Sequence, residues 1–312
     1  MFSGCSSLTT APELPATTLA TFCYSRMFDD CTSLTTAPEL PATTLASSCY
    51  AYMFDGCSSL TTAPVLPATT LADNCYAQMF QTCTSLTTAP ELPATTLANY
   101  CYREMFCNCR SLTTAPVLPA INLDWIFSCY DGMFKNCSSL TTAPELPATT
   151  LASQCYYQMF SGCSSLTTAP VLPATTLEDN CYRGMFQNCS NLTTAPELPA
   201  TSLEMQCYNG MFQNCTSLTT APDLPATTLA RSCYYAMFSG CTKLNYIKVG
   251  FTNWLDSATT DWVKGVSASG TFEAPIELPV ILGTSNIPEN WNLPNHTYII
   301  LTEDQKISQN YQ

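Results

Sequence analysis

Apolar residues along this chain follow one fixed pattern that returns with a period of 26 residues, the interval from Met27 to Met53. Most copies read Met-Phe-x-x-Cys-x-x-Leu-Thr-Thr-Ala-Pro-x-Leu-Pro-Ala-Thr-Thr-Leu and then reach a Cys-Tyr pair. The copies begin at Met1, Met27, Met53, Met79, Met105, Met133, Met159, Met185, Met211 and Met237. Such repetition predicts a solenoid, in which each unit stacks only on its neighbours. A solenoid presents a long surface rather than a catalytic pocket.

The part of each copy around the Cys-Tyr pair has the spacing of a short amphipathic helix. At 100° per residue, seven apolar residues of segment 20–34 fall on one stripe, and most polar residues fall on the opposite side. The stripe consists of Ala20, Cys23, Tyr24, Met27, Phe28, Cys31 and Leu34. We therefore predict one short helix in each copy, with this stripe facing inward.

The stretch that follows cannot continue a helix. Pro38 and Pro41 forbid it, and the Thr pair before them favours extended chain. Because proline lacks the N–H that a ladder needs, we expect a brief strand over 34–37 and then a bend. Strands stack about 4.8 Å apart, whereas helices need about 8–10 Å. The predicted array therefore curves, with its strands on the concave side.

The repeat pattern stops after Cys241. We expect a last strand over 244–249, a helix over 253–263 with Trp254, Ala258 and Trp262 on one face, and a strand over 297–301. The open end of a solenoid exposes its core, so a cap is required. We divide the chain into a solenoid, 1–244, and a C-terminal capping region, 245–312.

Composition narrows the function classes. Hydrophobic residues make up 46% of the chain, charged residues 11%, and the net charge is −13. Both regions are acidic, which argues against nucleic acid because phosphate binding needs clustered Lys and Arg. No apolar run approaches the roughly 20 residues of a membrane span. No cleavable leader precedes the first copy, so we expect a trimmed chain, export by another route, or a virion protein that needs no export.

Twenty cysteines raise the question of disulfides. Cys23 and Cys31 lie eight residues apart, or about 12 Å along one helix, and a disulfide needs Cα atoms within about 7 Å. Bonds between unlike cysteines of adjacent coils stay open, but we favour buried thiols that act as small apolar residues. No Cys-x-x-Cys pair indicates zinc. We expect no cofactor, and no catalytic set of residues is recognisable.

Residues flanking the Cys-Tyr pair change freely between copies and fall on the outward side of the predicted helix. One explanation is that these positions are exposed to solvent and vary in sequence because nothing selects their identity. The alternative is a diversified binding surface, since Tyr and Arg are favoured at interface hot spots. With two aromatic residues of the fifth copy, the candidate binding residues are Tyr52, Tyr100, Arg103, Trp125, Phe127, Tyr157, Arg183 and Tyr235.

The fifth copy is irregular. Four positions separate Leu71 from Cys75, but six separate Leu123 from Cys129, and the two-residue insertion brings in segment 124–127, Asp-Trp-Ile-Phe. We expect these aromatic residues to pack over the adjoining coils. The alternative is an exposed apolar tip that contacts a partner.

Two further columns run along the array. The residue after each Ala-Pro pair of the repeats, within 1–244, is acidic or valine, and stacking brings some like charges together. A weak Ca²⁺ site there would have too few ligands. The paired threonines should form hydroxyl ladders, and a Thr array suggests ice binding. However, adjacent threonines on a strand point to opposite faces.

The motif Met-Phe-x-x-Cys-x-x-Leu-Thr resembles the Ala-Phe-x-x-Cys-x-x-Leu-Thr signature of BspA-like leucine-rich repeats, a group of bacterial surface-antigen repeats, over residues 1 to about 249. The resemblance implies a curved right-handed α/β solenoid of about ten coils, each a short strand plus a short helix. The chain departs from the usual BspA-like repeat in two ways. Its unit is about three residues longer, and Ala37 and Pro38 stand at strand positions where larger apolar residues are expected. The resemblance also implies a non-enzymatic protein at the cell surface or outside the cell, which adheres to a protein or glycan on a host or bacterial surface. The alternative is a structural or receptor-binding component of a bacteriophage particle or surface fibre.

Overall fold

The computed structural model describes residues 2–294 and 296. Within them the regular elements are strand β1, Tyr246–Lys248, helix α1, Asp256–Thr259, and strand β2, Thr271–Glu273. β1 and β2 pair in parallel, with Ile247 opposite Phe272. The copy start at Met1 and the strand expected over 297–301 lie outside the described residues.

The helices predicted in the repeats are wrong. The segment around each Cys-Tyr pair is a run of tight turns, whose N–H groups alternate between two kinds of acceptor. Cys23 N–H donates within its own coil, to the Ala20 carbonyl at 3.2 Å, whereas Tyr24 N–H donates to the next coil, to the Cys49 carbonyl at 3.0 Å. Ser25 N–H then returns to Phe22 in its own coil, at 3.2 Å. The coils are therefore joined directly through their backbones.

Every fourth residue of these runs has a left-handed backbone. In the first run these are Phe22, Arg26 and Asp30, with φ of 59°, 55° and 56°. Each stands third in a four-residue turn, the position at which a type II turn requires positive φ. Stacked helices would need about 8–10 Å between axes, but stacked Phe28 and Phe54 rings lie only 5.6 Å apart. Helices cannot fit that spacing, and turns can.

The predicted apolar stripe nevertheless forms the core. From the third copy onward the Phe, Tyr, Met and Cys columns and the leucine before each Thr pair are almost fully buried, and the described residues share one continuous hydrophobic core. Neighbouring Phe rings stack 5.6–5.8 Å apart between Phe2 and Phe238. The period of four residues in the turns buries the same residues as a helix would.

The brief strand predicted in each copy is reduced to single parallel bridges between threonines one coil apart, such as Thr36 with Thr62. Thr61 Oγ1 also donates to the Thr35 carbonyl of the preceding coil, at 3.3 Å. Both threonines of such a pair are exposed, as at Thr61 and Thr62. Neither threonine of such a pair is therefore buried in the core.

The cysteines are free thiols, as predicted. Cys5 is exposed and Cys23 half-buried, and the others are buried. The thiol that follows each Met-Phe pair has a polar role as well. Cys163 Sγ donates to the Phe134 carbonyl of the preceding coil at 3.1 Å, and the same bond recurs along the array. Each of these thiols therefore helps to join two coils.

Hydrogen bonding between coils continues beyond Leu244. Phe238 N–H donates to the Trp262 carbonyl at 2.8 Å, and Trp262 stacks on the Tyr234 ring. The helix expected over 253–263 is limited to the four residues of α1. Trp254 and Trp262 therefore lie outside α1 and do not share a helix face with Ala258, although all three residues pack against the core.

Candidate binding surface

The fifth-copy insertion forms a protrusion, which we call the bulge and define as residues 124–127 with Tyr100 of the preceding coil. Leu123 is fully buried before it, and Ile126 packs against the core. Trp125, in contrast, is 77% exposed and Phe127 is 42% exposed. The expectation that the aromatic residues pack over adjoining coils is therefore wrong for Trp125.

Hydrogen bonds hold the bulge in one conformation. Asp124 N–H donates to Asn122 Oδ1 at 2.8 Å, and Phe127 N–H donates to Asn99 Oδ1 at 2.9 Å. Tyr100 N–H donates to the Phe127 carbonyl at 3.0 Å, which brings the Tyr100 ring, itself 37% exposed, to the same edge. Three exposed aromatic residues thus lie on neighbouring backbone segments that hydrogen bonds join.

A second group of predicted residues lies on the turn runs of later coils. The Arg183 guanidinium lies 5.6 Å from the Tyr157 ring centroid, and its Nη1 donates to Gln206 Oε1 at 2.7 Å. Cation–π contacts of this kind stabilise by about 0.5–1 kcal/mol at exposed sites. Tyr235 is 41% exposed and has no such arginine over its ring among the described residues.

The remaining predicted residues have other partners. Arg26 stacks 3.9 Å from the centroid of the half-buried Tyr52 ring, at the N-terminal end. Arg103 Nε lies 3.6 Å from Asp131 Oδ2. Burial raises the pKa of Asp131 to about 7, against the opposing effect of Arg103. The eight predicted residues therefore form separate groups rather than one site.

The structure also exposes apolar residues that the sequence analysis did not select. Phe22 is 62% exposed and Ile121 is 68% exposed, and three valines that follow Ala-Pro pairs are 76–78% exposed. Phe22 fell on the outward side of the predicted helix, so its exposure could have been inferred. The valines carried a signal as well, because other copies have Glu or Asp at the same repeat position and unpaired charged side chains are rarely buried.

The described residues contain no group of three or more His, Cys, Asp or Glu side chains able to hold a metal ion. The buried thiols are poor nucleophiles, since burial raises the pKa of Cys107 and Cys233 to about 11 and of Cys101 to about 12. No helix within residues 2–294 is both long and apolar enough to cross a membrane. The geometry described so far is that of an extended surface with aromatic protrusions.

A stacked array of this kind, with a leucine column and an elongated outer surface, defines the class of leucine-rich repeat proteins. Within that class, the family model of the BspA type leucine rich repeat region matches six copies over residues 1–113, 77–193 and 182–258. The chain therefore belongs to the BspA-type leucine-rich repeat family, which confirms the resemblance stated above.

Two solved structures are similar to the chain at low identity. A leucine rich cell surface protein from Faecalibacterium prausnitzii A2-165 is 18% identical, with a TM-score of 0.42, 91% of this chain and 77% of that chain covered. The TLR13–ssRNA13 complex is 13% identical, with a TM-score of 0.37, and the match covers 80% of this chain and 32% of that one. No curated protein matches the chain.

Proposed function

We propose that this chain is a non-enzymatic binding protein displayed at the cell surface or outside the cell, where it recognises a protein or glycan through its solenoid surface. Membership in the BspA-type repeat family supports a surface role. The observation that carries the proposal is the bulge, because it is the one place where the repeat is broken and where Trp125 is left 77% exposed.

Exposure of a tryptophan in water is unfavourable, since burying apolar surface stabilises by roughly 25 cal/mol per Å². Aromatic side chains that are rigid and already ordered lose little entropy on binding, which is why Trp and Tyr dominate interface hot spots. The Asn99 and Asn122 side chains hold the bulge backbone. The bulge therefore has the chemistry of a preformed contact for a partner.

We also propose the finer features of the array: about ten coils, a right-handed gentle curve, and a C-terminal cap formed by residues 245–312. Trp262 supports the cap, because it is fully buried and lies over both Tyr234 and Phe238, the last members of two ring columns. Without such a cover these rings would be exposed to water.

The test is binding of the labelled chain to arrays of bacterial and host surface glycans and of host matrix proteins. We expect saturable binding that is lost in a Trp125→Ser, Phe127→Ser double variant with an unchanged melting temperature. The matched control is Phe22→Ser, which removes another exposed aromatic residue. Absence of saturable binding to either array overturns the proposal. Equal binding by wild type and the double variant would show that the bulge is not the binding site.

A further inference from the structure

A second surface feature repeats along the array, on a different part of each coil from the bulge. We call it the acidic–valine column and define it as the residues after the Ala-Pro pairs of the repeats, within residues 1–244. Its members are Glu13, Glu39, Val65, Glu91, Val117, Glu145, Val171, Glu197 and Asp223. From Glu39 to Glu197 acid and valine alternate without exception. The three valines are 76–78% exposed, so each alternate coil presents an apolar side chain to water.

Grooves separate neighbouring members of the column. The groove between Glu145 and Val171 has a volume of about 240 Å³, and its walls include Pro144 and Pro170. A similar groove of about 220 Å³ lies between Glu39 and Val65. Because proline has no N–H to bond to the next coil, this side of the array stays open between coils. Each groove is large enough to accept one side chain of a partner.

The charge of the column selects a basic partner. Its acidic members are exposed, and the whole chain carries a net charge of −13. The chain itself shows how a cation is seated there: in the coil that follows Asp223, Lys248 Nζ lies 2.7 Å from Asp223 Oδ2. An ammonium group can therefore approach a column carboxylate directly.

The repeat distance selects the conformation of that partner. Coils stack 5.6–5.8 Å apart at their Phe rings and about 4.8 Å apart at parallel bridges. An α-helix rises 5.4 Å per turn, so a helix lying along the column presents one side chain to each coil. Same-face side chains of a strand repeat about every 6.6–6.8 Å, which loses register within a few coils. Those of polyproline II repeat about every 9.3 Å, close to two coils, so they meet only every second member of the column and cannot contact acid and valine in turn.

We propose that the acidic–valine column is a docking surface for a basic amphipathic α-helix, whose successive turns alternate between Lys or Arg and an aliphatic residue. The basic residues meet the glutamates, and the aliphatic residues enter the grooves beside the valines. This proposal deepens the proposed binding function by naming a protein partner. It does not depend on the bulge, so the two can fail separately.

The experiment uses a synthetic helical peptide of about 20 residues, which spans roughly 30 Å or about five coils. Its contact face alternates Leu and Lys on successive turns. The control peptide has the same composition and helicity, but its face carries all Leu turns first and all Lys turns after them. We expect saturable binding of the alternating peptide, at least about tenfold tighter than that of the control. Equal affinity for the two peptides overturns the proposal.

Protein variants locate the contact. The column variant Glu39→Gln, Glu91→Gln, Glu145→Gln should weaken peptide binding about tenfold, because three charge pairs are lost. The matched control Glu178→Gln, Glu204→Gln, Glu289→Gln changes the net charge equally at exposed sites outside the column, and it should weaken binding about twofold. Equal loss in both variants means non-specific attraction and overturns the proposal. The Trp125→Ser, Phe127→Ser variant should bind the peptide as wild type does.

Discussion

The turn side and the proline side of each coil are held together in different ways. On the turn side, N–H groups donate directly to the next coil, as Tyr76 does to the Cys101 carbonyl at 3.1 Å. On the proline side, Pro64 and Pro67 have no N–H to donate, and a groove opens between coils. Continuous backbone hydrogen bonds and buried rings join the coils on the turn side. On the proline side the coils are joined by single threonine bridges, and exposed side chains line the grooves between them.

This difference explains where the sequence varies. Outward residues of the turn runs change from copy to copy without cost, since the bonds between coils are made by the backbone. On the proline side nearly every residue is constant except the acidic–valine column. Like charges on adjacent coils repel each other, and valines separate the acidic residues of the column from Glu39 to Glu197. Four substitutions test the comparison, starting with the largest effect.

Truncation of a buried ring on the turn side should be the most damaging change. Phe134 is fully buried and stacks 5.7 Å from both Phe106 and Phe160. Phe134→Ala should therefore cost about 3–5 kcal/mol of unfolding free energy, measured by urea denaturation. Phe127→Ala, at a 42% exposed ring, should cost less than about 1 kcal/mol. Similar losses in both variants would mean that the ring column does not hold the array together.

A methyl group added between two turn runs should have the next largest effect. Gly162 has a φ of +77°, and a Cβ there would contact the Asn136 side chain of the preceding coil. Gly210 has a φ of +60°, but its nearest neighbour would be Gln213 Oε1 at 3.7 Å. Both Ala variants incur the left-handed cost of about 1–2 kcal/mol. Gly162→Ala should lose about 1–2 kcal/mol more unfolding free energy than Gly210→Ala, measured by thermal unfolding. Equal losses in the two variants would show that neighbouring coils move apart at little cost to make room for the added methyl group.

These glycines also show what sequence reasoning could and could not reach. The core followed from the period of the apolar residues, and the family followed from the Met-Phe-x-x-Cys-x-x-Leu-Thr motif. The free thiols were predicted from a distance along a helix that does not form, so that argument does not hold although its conclusion does. The helix was wrong because a run of turns with every fourth residue left-handed buries the same positions. A signal was present at the third residue after the Met of each copy, which is Gly, Asn or Asp in every copy except the fourth. These residues are Gly4, Asp30, Gly56, Asn108, Asn136, Gly162, Asn188, Asn214 and Gly240. These residue types tolerate positive φ, and no helix needs them there.

The bulge could be predicted only as two alternatives. The insertion showed that the coil is irregular, but not whether its aromatic residues point inward or outward. That depends on the packing of Leu123 and Ile126 and on the side chain of Asn99, which lies 28 residues before Phe127 in the chain. The exposed valines could have been predicted from the other copies, which have Glu or Asp at the same repeat position, although valine beside proline and leucine is by itself typical of a core. Exposure there is decided by the extended chain, which turns Leu66 inward and Val65 outward.

The third substitution tests the charges on the turn side. Burial raises the pKa of Asp131 to about 7, and that of Asp55 to about 6. An unfolded aspartate has a pKa near 3.9, so the folded chain binds more protons between pH 4 and 7, and its stability falls as the pH rises through this range. In Asp131→Asn the melting temperature should therefore fall less between pH 4 and pH 7 than it does in wild type. Asp124→Asn, at an exposed residue, should leave it unchanged, and an identical slope in both variants contradicts burial as the cause.

The smallest effect is expected on the proline side. Val117→Glu places a third carboxylate between Glu91 and Glu145, and the repulsion should cost about 0.5 kcal/mol or less at 10 mM salt, since exposed charges interact weakly. Val117→Gln is the matched neutral control. At 1 M salt the Debye length falls to about 3 Å, so the two variants should then unfold at the same urea concentration. A difference that persists in high salt would instead mean that the column side chains touch across the grooves, and that the proline side is packed as closely as the turn side.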